Sequence, residues 1–331
     1  MSACVVQPLT PPWQAEAQRV YDRAFAGAAL PYGHRLPDGF LASRVFGSSL
    51  WPADCSQLLV TRTGEGVGLL LANRRANPAV PSSDWLWLHL LCIVPARRRQ
   101  GWGRHLLAGL RERAHAEGRC GVATALQWAG LWPGVPEGLT AMRAFGDRTG
   151  AEWRPGELYL VKHLAEPWPE SGLIRLVAAG EEIMPIPYAR RHRDSLQKLL
   201  HAEFGTGWQH ETLSRIDAGY EPFNGYGLAT TGAPDHAGRG VWVLEQGGQV
   251  IGFCVVQWEG EGSTAFFGPI GLSPAWRGRG LGTRLLLAAA RQARATGRER
   301  LGLWTSAALA EGFYQPLGFQ ALLSTRHALW Q

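Results

Sequence analysis

The feature that most constrains this chain is an internal repeat. The segment Pro95-Ala-Arg-Arg-Arg-Gln-Gly-Trp-Gly-Arg-His-Leu-Leu107 aligns without gaps on Pro274-Ala-Trp-Arg-Gly-Arg-Gly-Leu-Gly-Thr-Arg-Leu-Leu286. The offset is 179 residues, and it also carries Gly118-Arg119 onto Gly297-Arg298. A register held across that length implies two copies of one structural unit. The 331 residues suit about two domains of ordinary size.

The flanking segments repeat too. An apolar strand precedes each motif, Trp85–Val94 in the first copy and Thr264–Leu272 in the second. Upstream lie pairs of β-rich runs split by Gly64-Glu65 and by Gly247-Gly248, a hairpin signal. After each motif, Leu and Ala recur at helical spacing until Gly118 or Gly297, which read as C′ glycines. A further strand, a short helix and a closing strand pair follow. The fold class expected is mixed α/β: two tandem domains, each a central, mostly antiparallel mixed sheet flanked by helices. The boundaries expected are residues 1–165, a Pro- and Gly-rich linker at 166–179, and residues 180–331.

Composition narrows the function. A hydrophobic fraction of 46% with only 18% charged residues excludes disorder. The net charge of +6 favours anionic partners. Lys and Arg are dispersed, with no run longer than Arg97–Arg99, which argues against a dedicated nucleic-acid surface. Five widely spaced cysteines without a CxxC pair fit neither a disulfide framework nor a zinc site, so no metal is expected. No signal-peptide pattern opens the chain, and its longest apolar run is about half a membrane span, so a cytoplasmic location without membrane association is expected.

The turn Arg277-Gly-Arg-Gly-Leu-Gly-Thr283 lies where a strand gives way to a helix. Glycines without Cβ let backbone N–H groups converge on one ligand, and the helix N-terminus adds partial positive charge. Such a turn suits a pyrophosphate, and Arg277, Arg279 and Arg284 add charge around it. A glycine-rich turn that merely opens a helix is the bland alternative. A dinucleotide fingerprint would put its first glycine directly after the strand, but Pro274-Ala-Trp-Arg intervenes.

At these residues the chain resembles the Gcn5-related N-acetyltransferases, the GNAT superfamily. Arg98-x-x-Gly101-x-Gly103 and Arg277-x-x-Gly280-x-Gly282 are similar to that family's acyl-CoA signature, and the tandem arrangement resembles mycothiol synthase. The resemblance implies acetyl-CoA, or another acyl-CoA, as co-substrate. It implies that Arg277, Gly278, Arg279, Gly280, Leu281, Gly282 and Thr283 surround the pyrophosphate. Ile270, Gly271 and Leu272 would pair with the pantetheine arm. The first-copy equivalents are Cys92, Ile93 and Val94, then Gln100, Gly101, Trp102, Gly103 and Arg104.

The second copy also contains Phe313-Tyr-Gln-Pro-Leu-Gly-Phe319, similar to a family element whose Tyr protonates the leaving thiolate. Tyr314 is therefore the candidate catalytic acid, with simple aromatic packing as its alternative. Gly146 stands at the matching position of the first copy, which has lost that acid. The base is open: Glu245, Glu259, Glu261 and, in the first copy, His89 are candidates. The expected activity is transfer of an acyl group to an amine of a small molecule or peptide. The alternatives are a degenerate CoA-binding module and a basic nucleic-acid-associated protein.

Overall fold

The computed structural model describes residues 4–26, 45–46, 55–74, 84–124, 133–169, 183–217, 240–258 and 263–331. Part of the expected linker, Glu259, Glu261 and the Gly219–Gly240 loop up to residue 239 lie outside the described residues. The described residues form two compact units. One holds residues up to Gly156 together with Thr325–Gln331, and the other runs from Glu157 to Ser324.

The first unit contains β1 (Cys4–Pro8), α1 (Gln14–Phe25), β2 (Gln57–Thr61), β3 (Gly66–Asn73), β4 (Trp85–Ile93), α2 (Trp102–Ala116), β5 (Gly121–Thr124), β6 (Val135–Pro136) and α3 (Thr140–Arg148). Strands β1 to β4 pair antiparallel in sequence order, and β4 runs parallel to β5. Strand β3 is buried along its whole length, as an apolar run at the middle of a covered sheet must be. Helix α2 turns Leu106, Leu107, Leu110 and Ala114 inward, a three- and four-residue spacing that makes one apolar face.

Strand β7 (Glu152–His163) enters the second unit at Glu157. There follow β8 (Ile186–Pro187), α4 (Arg193–Glu203), α5 (Thr206–Asp217), β9 (Val241–Gln246), β10 (Gln249–Trp258), β11 (Thr264–Leu272), α6 (Leu281–Ala295), β12 (Arg300–Thr305), a short helical segment over 307–317 and β13 (Gln320–Trp330). Strands β8 to β11 are antiparallel neighbours, and β11 runs parallel to β12. Gly247 and Gly248, with φ of 57° and 77°, make the tight β9–β10 turn. One apolar cluster joins α6 and residues 310–319 to one face of this sheet. A second joins α4 to the other face, through Phe253 and Val255. This is the mixed α/β architecture expected from the repeat.

The closing strands depart from the expectation of a pair at the end of each copy. Leu329 and Trp330 of β13 pair with Ala123 and Val122 of β5, inside the first unit. Leu158–His163 of β7 pair with Thr305–Arg300 of β12, inside the second. Each parallel pair is thus flanked by a strand that the sequence assigns to the other repeat.

Candidate active site

The two turns share one backbone design. Gly101 and Gly280 are the N-cap residues of α2 and α6, with φ of 86° and 77°. A left-handed N-cap brings the strand end sharply onto the helix axis, and glycine takes that conformation without penalty. Two residues earlier, Gly278 has φ of 77° while its counterpart Arg99 has φ of 59°. The first copy therefore keeps the same turn at the cost of a left-handed Arg. Arg98 Nε donates to the Ile93 carbonyl at 2.9 Å, and Arg277 Nε to the Leu272 carbonyl at 3.1 Å. The signature Arg thus ties the turn to the last residue of its strand.

The helix amides remain available. The first intrahelical bond of α6 runs from Arg284 N to Gly280 O, and that of α2 from His105 N to Gly101 O. The amides of Leu281, Gly282 and Thr283, like those of Trp102, Gly103 and Arg104, precede the first intrahelical donor and can serve an anion. Arg277 and Arg279 are exposed beside them, with the Arg279 guanidinium 4.8 Å from the Trp276 ring centre. Arg284 instead donates to the Ile183 carbonyl.

The second glycine of each turn lies where the helix meets its strand and the segment beyond. A β-carbon on Gly282 would meet Phe313 at 3.4 Å and Leu272 at 3.7 Å. In the first unit, one on Gly103 would meet Phe145 at 3.3 Å and Ile93 at 3.9 Å. The contact is ordinary at Gly282 and tighter at Gly103, where Phe145 would have to give way slightly. At the far ends, Gly118 N reaches His115 O and Arg119 N reaches Ala114 O, while Gly297 and Arg298 do the same with Arg294 and Ala293. Both helices therefore close in a Schellman motif.

Next to each turn the parallel ladder opens. Strand β11 pairs with β12 only from Thr264 to Phe266, opposite Arg300–Gly302. The rest of β11, including Ile270, Gly271 and Leu272, makes no rung with β12. Strand β4 parts from β5 after Leu88, so Cys92, Ile93 and Val94 lie beyond the paired stretch.

Tyr314 ends a π-helical turn over Ala310–Tyr314 and is 5% exposed. Its ring meets Phe313 and Phe319 edge-on, at centroid distances of 4.8 and 5.5 Å. Burial pushes the phenol above its usual range, and nearby Cys254 acts in the same direction. It keeps its proton across the neutral range. In the first unit, Gly146 is backed by the Trp153 indole.

The base candidates separate. Burial pushes the His89 imidazole down to about 3, so it is neutral near pH 7. Glu245 is engaged by His192 Nε2 at 3.1 Å and by Arg191 at 3.6 Å. Glu157 of β7 is pushed up to about 7, first by burial and then by the charge of Glu211 on α5. Sequence reasoning passed over Glu157 because β7 belongs to the first repeat; no local pattern signals that it crosses. Among the described residues no group of three or more His, Cys, Asp or Glu is placed to hold a metal ion. No described helix is long and apolar enough to cross a membrane.

Residues 237–321 match the family model of the acetyltransferase (GNAT) domain. Among solved structures, the chain is similar to a GCN5-related glucosamine N-acetyltransferase region of a fungal multi-domain beta-N-acetylglucosaminidase, at 15% identity and a TM-score of 0.78. That match covers all of this chain but only 38% of the fungal one. A tandem GNAT protein from the clavulanic acid biosynthesis pathway matches at 18% identity and a TM-score of 0.65, over 98% of each chain. A GCN5-related N-acetyltransferase from Sphaerobacter thermophilus matches at 14% identity and a TM-score of 0.63, over 98% of this chain and 94% of its own. At these identities the likeness is one of fold. No curated protein matches the sequence.

Proposed function

We propose, from the premise that this chain carries a GNAT acetyltransferase domain at residues 237–321, that it is an acetyl-CoA-dependent N-acetyltransferase whose chemistry takes place in the second unit. The observation that carries the reading is the opening of the β11–β12 ladder after Phe266, beside the uncommitted amides of Leu281–Thr283. A pyrophosphate on those amides and a pantetheine arm along Ile270–Leu272 would direct a thioester into the opening.

The acceptor is an amine of a small molecule or peptide. Its nitrogen lone pair attacks the thioester carbonyl carbon, the C–N bond forms and the C–S bond breaks. Tyr314 then gives its proton to the departing thiolate, the nitrogen sheds one proton to solvent as the amide forms, and solvent restores the phenol, whose burial keeps it protonated. In the first unit Gly146 offers no such proton, and we assign that unit a supporting role.

Titration calorimetry with acetyl-CoA tests this reading. One site per chain, weakened by Gly280→Val at the left-handed N-cap, is expected. No binding heat and no rise in melting temperature would sink it. One observation favours a second reading, a CoA-binding module without turnover: Tyr314 is packed among core aromatics. Tight acetyl-CoA binding with no thiol release in the presence of amines would select that reading.

A further inference from the structure

We infer that Glu157 and Glu211 form the seat of the acceptor's ammonium group, so that the substrate is a cationic primary amine and Glu157 its proton acceptor. The inference rests on the acetyl-transfer reading of the second unit, to which both residues belong.

Position is the first argument. The last rung between β7 and β12 is Leu158 opposite Thr305, and Glu157 stands one residue beyond it. By then β11 has already left β12, so Glu157 lies at the mouth of the opening. Leu158 and Leu160 pack into the cluster that holds Tyr314. Strand alternation therefore puts Glu157 on the opposite face, the one covered by α4 and α5. Acid and base so placed flank the opening from its two faces. That is what the reaction needs, because the incoming nitrogen and the outgoing sulfur occupy different sides of one carbon.

The second argument is the partner helix. Trp208 of α5 stacks on Phe204 and meets Phe253 edge-on, which fixes the sheet-facing side of that helix. Glu211 and Thr212 come three and four residues later, on that same side, and are 7% and 0% exposed. The Thr212 hydroxyl is buried without a hydrogen-bond partner among the described residues. A buried hydroxyl left so is costly unless a ligand completes it.

Charge supplies the third. Burial, and then the charge of Glu211, holds Glu157 near 7, so the pair is poised to lose a proton when a cation arrives. An ammonium group relieves the repulsion between the carboxylates and can give Glu157 one N–H proton. The freed lone pair attacks the thioester carbon, and the thiolate leaves with the Tyr314 proton. The second proton on nitrogen passes to the other carboxylate and then to solvent as amide and thiol depart. Solvent restores the phenol.

The test uses 1,4-diaminobutane and benzylamine as probes, with 1,4-butanediol and benzyl alcohol as neutral counterparts. Calorimetry at pH 7 in two buffers of different ionisation enthalpy should show amine binding with proton release, and little binding of the alcohols. Glu157→Gln should abolish the proton release and slow thiol release from acetyl-CoA by about a hundredfold or more, with acetyl-CoA affinity unchanged. Glu211→Gln should chiefly raise KM for the amine, by about tenfold, and it carries the test if Glu157→Gln fails to fold. Equal binding of diol and diamine, absence of amine binding, or full turnover in Glu157→Gln would each overturn the inference. The amine arm needs no acetyl-CoA. Failure of acetyl-CoA to bind would therefore fault the acetyl-transfer reading, and the seat would stand or fall on the amine heats.

Discussion

The indole of Trp153 lies against the Cα of Gly146, so that a β-carbon on Gly146 would fall deep inside van der Waals contact with its Cζ2. Trp153 is held there by its Nε1, which donates to Asp147 Oδ1 at 2.7 Å. Gly146 is the counterpart of Tyr314, so an indole backs the backbone position from which the second copy projects its phenol. An exposed helical Gly would gain about 0.5–1 kcal/mol from Ala. We expect Gly146→Ala to destabilise instead, by about 1–3 kcal/mol of overpacking. Trimming Trp153 to Leu in the same chain should recover part of that loss in urea denaturation. Independent, additive effects of the two changes would refute the contact.

Arg99 keeps a left-handed backbone that Gly278 adopts at no penalty in the other copy. The conformation costs an ordinary residue about 1–2 kcal/mol. Glycine gives back about 0.5–1 kcal/mol through the unfolded chain. Arg99→Gly should therefore stabilise by up to about 1 kcal/mol, read as a higher urea midpoint with an unchanged slope. A lower midpoint would mean that the Arg99 side chain makes contacts worth more than the strain.

Both turns were legible in the sequence because each glycine there answers a local demand, at Gly101, Gly118, Gly280 and Gly297. The strands beside them were legible through apolar runs bounded by glycine. Strand neighbours were not. A period of two fixes which face a side chain takes, but says nothing about which strand lies alongside. So Trp330 could be read as apolar and its place beside Val122 could not. For the same reason Glu157, on a strand of the first repeat, never entered the search for a base in the second.

Trp330 is fully buried in the first unit, its Nε1 donating to Thr149 Oγ1 at 3.0 Å. Ala328 N adds a buried bond to Thr124 Oγ1 at 2.9 Å. Trp330→Ala should cost about 3–5 kcal/mol, the usual range for such a cavity. Hydrogen exchange should rise first in β5, which the last strand pairs with, and at the end of α3, where Trp330 bonds the capping Thr149. Protection lost first at β9 and β10 would contradict the strand's assignment to the first unit.

His89, held near 3, gives the first unit a pH signature. Its folded value is depressed, so the unfolded chain binds the proton first as pH falls through its usual value near 6.5. Stability should decline from there toward about pH 3. Glu157 works the other way: its raised value means the unfolded carboxyl ionises first, and stability is lost as pH climbs from about 4.5 to 7. His89→Phe should flatten the acid limb, and Glu157→Gln the limb between 4.5 and 7. Melting temperatures across pH 3.5–8, taken on both variants, separate the two contributions. Unchanged acid sensitivity in His89→Phe would place the proton uptake elsewhere.

Tyr314 decides whether the second unit is a catalyst. Its phenol sits with Phe313 and Phe319, and burial keeps it protonated beyond the usual range. A raised folded value means the unfolded phenol ionises first, so this group weakens the fold only as pH rises above about 10. At neutral pH the Tyr314→Phe variant should therefore be close to wild type in fold, losing one hydroxyl from a site that is already apolar. If the phenol protonates the thiolate, kcat should fall by about a hundredfold to ten-thousandfold, with the acetyl-CoA Kd unchanged. Loss of turnover with intact binding is the mark of an interaction made only in the transition state. Gly103→Val, which crowds Phe145 in the first unit, should leave that turnover in place. Full kcat in Tyr314→Phe would reduce the phenol to core packing, and turnover abolished by Gly103→Val in a folded protein would move the chemistry to the first unit.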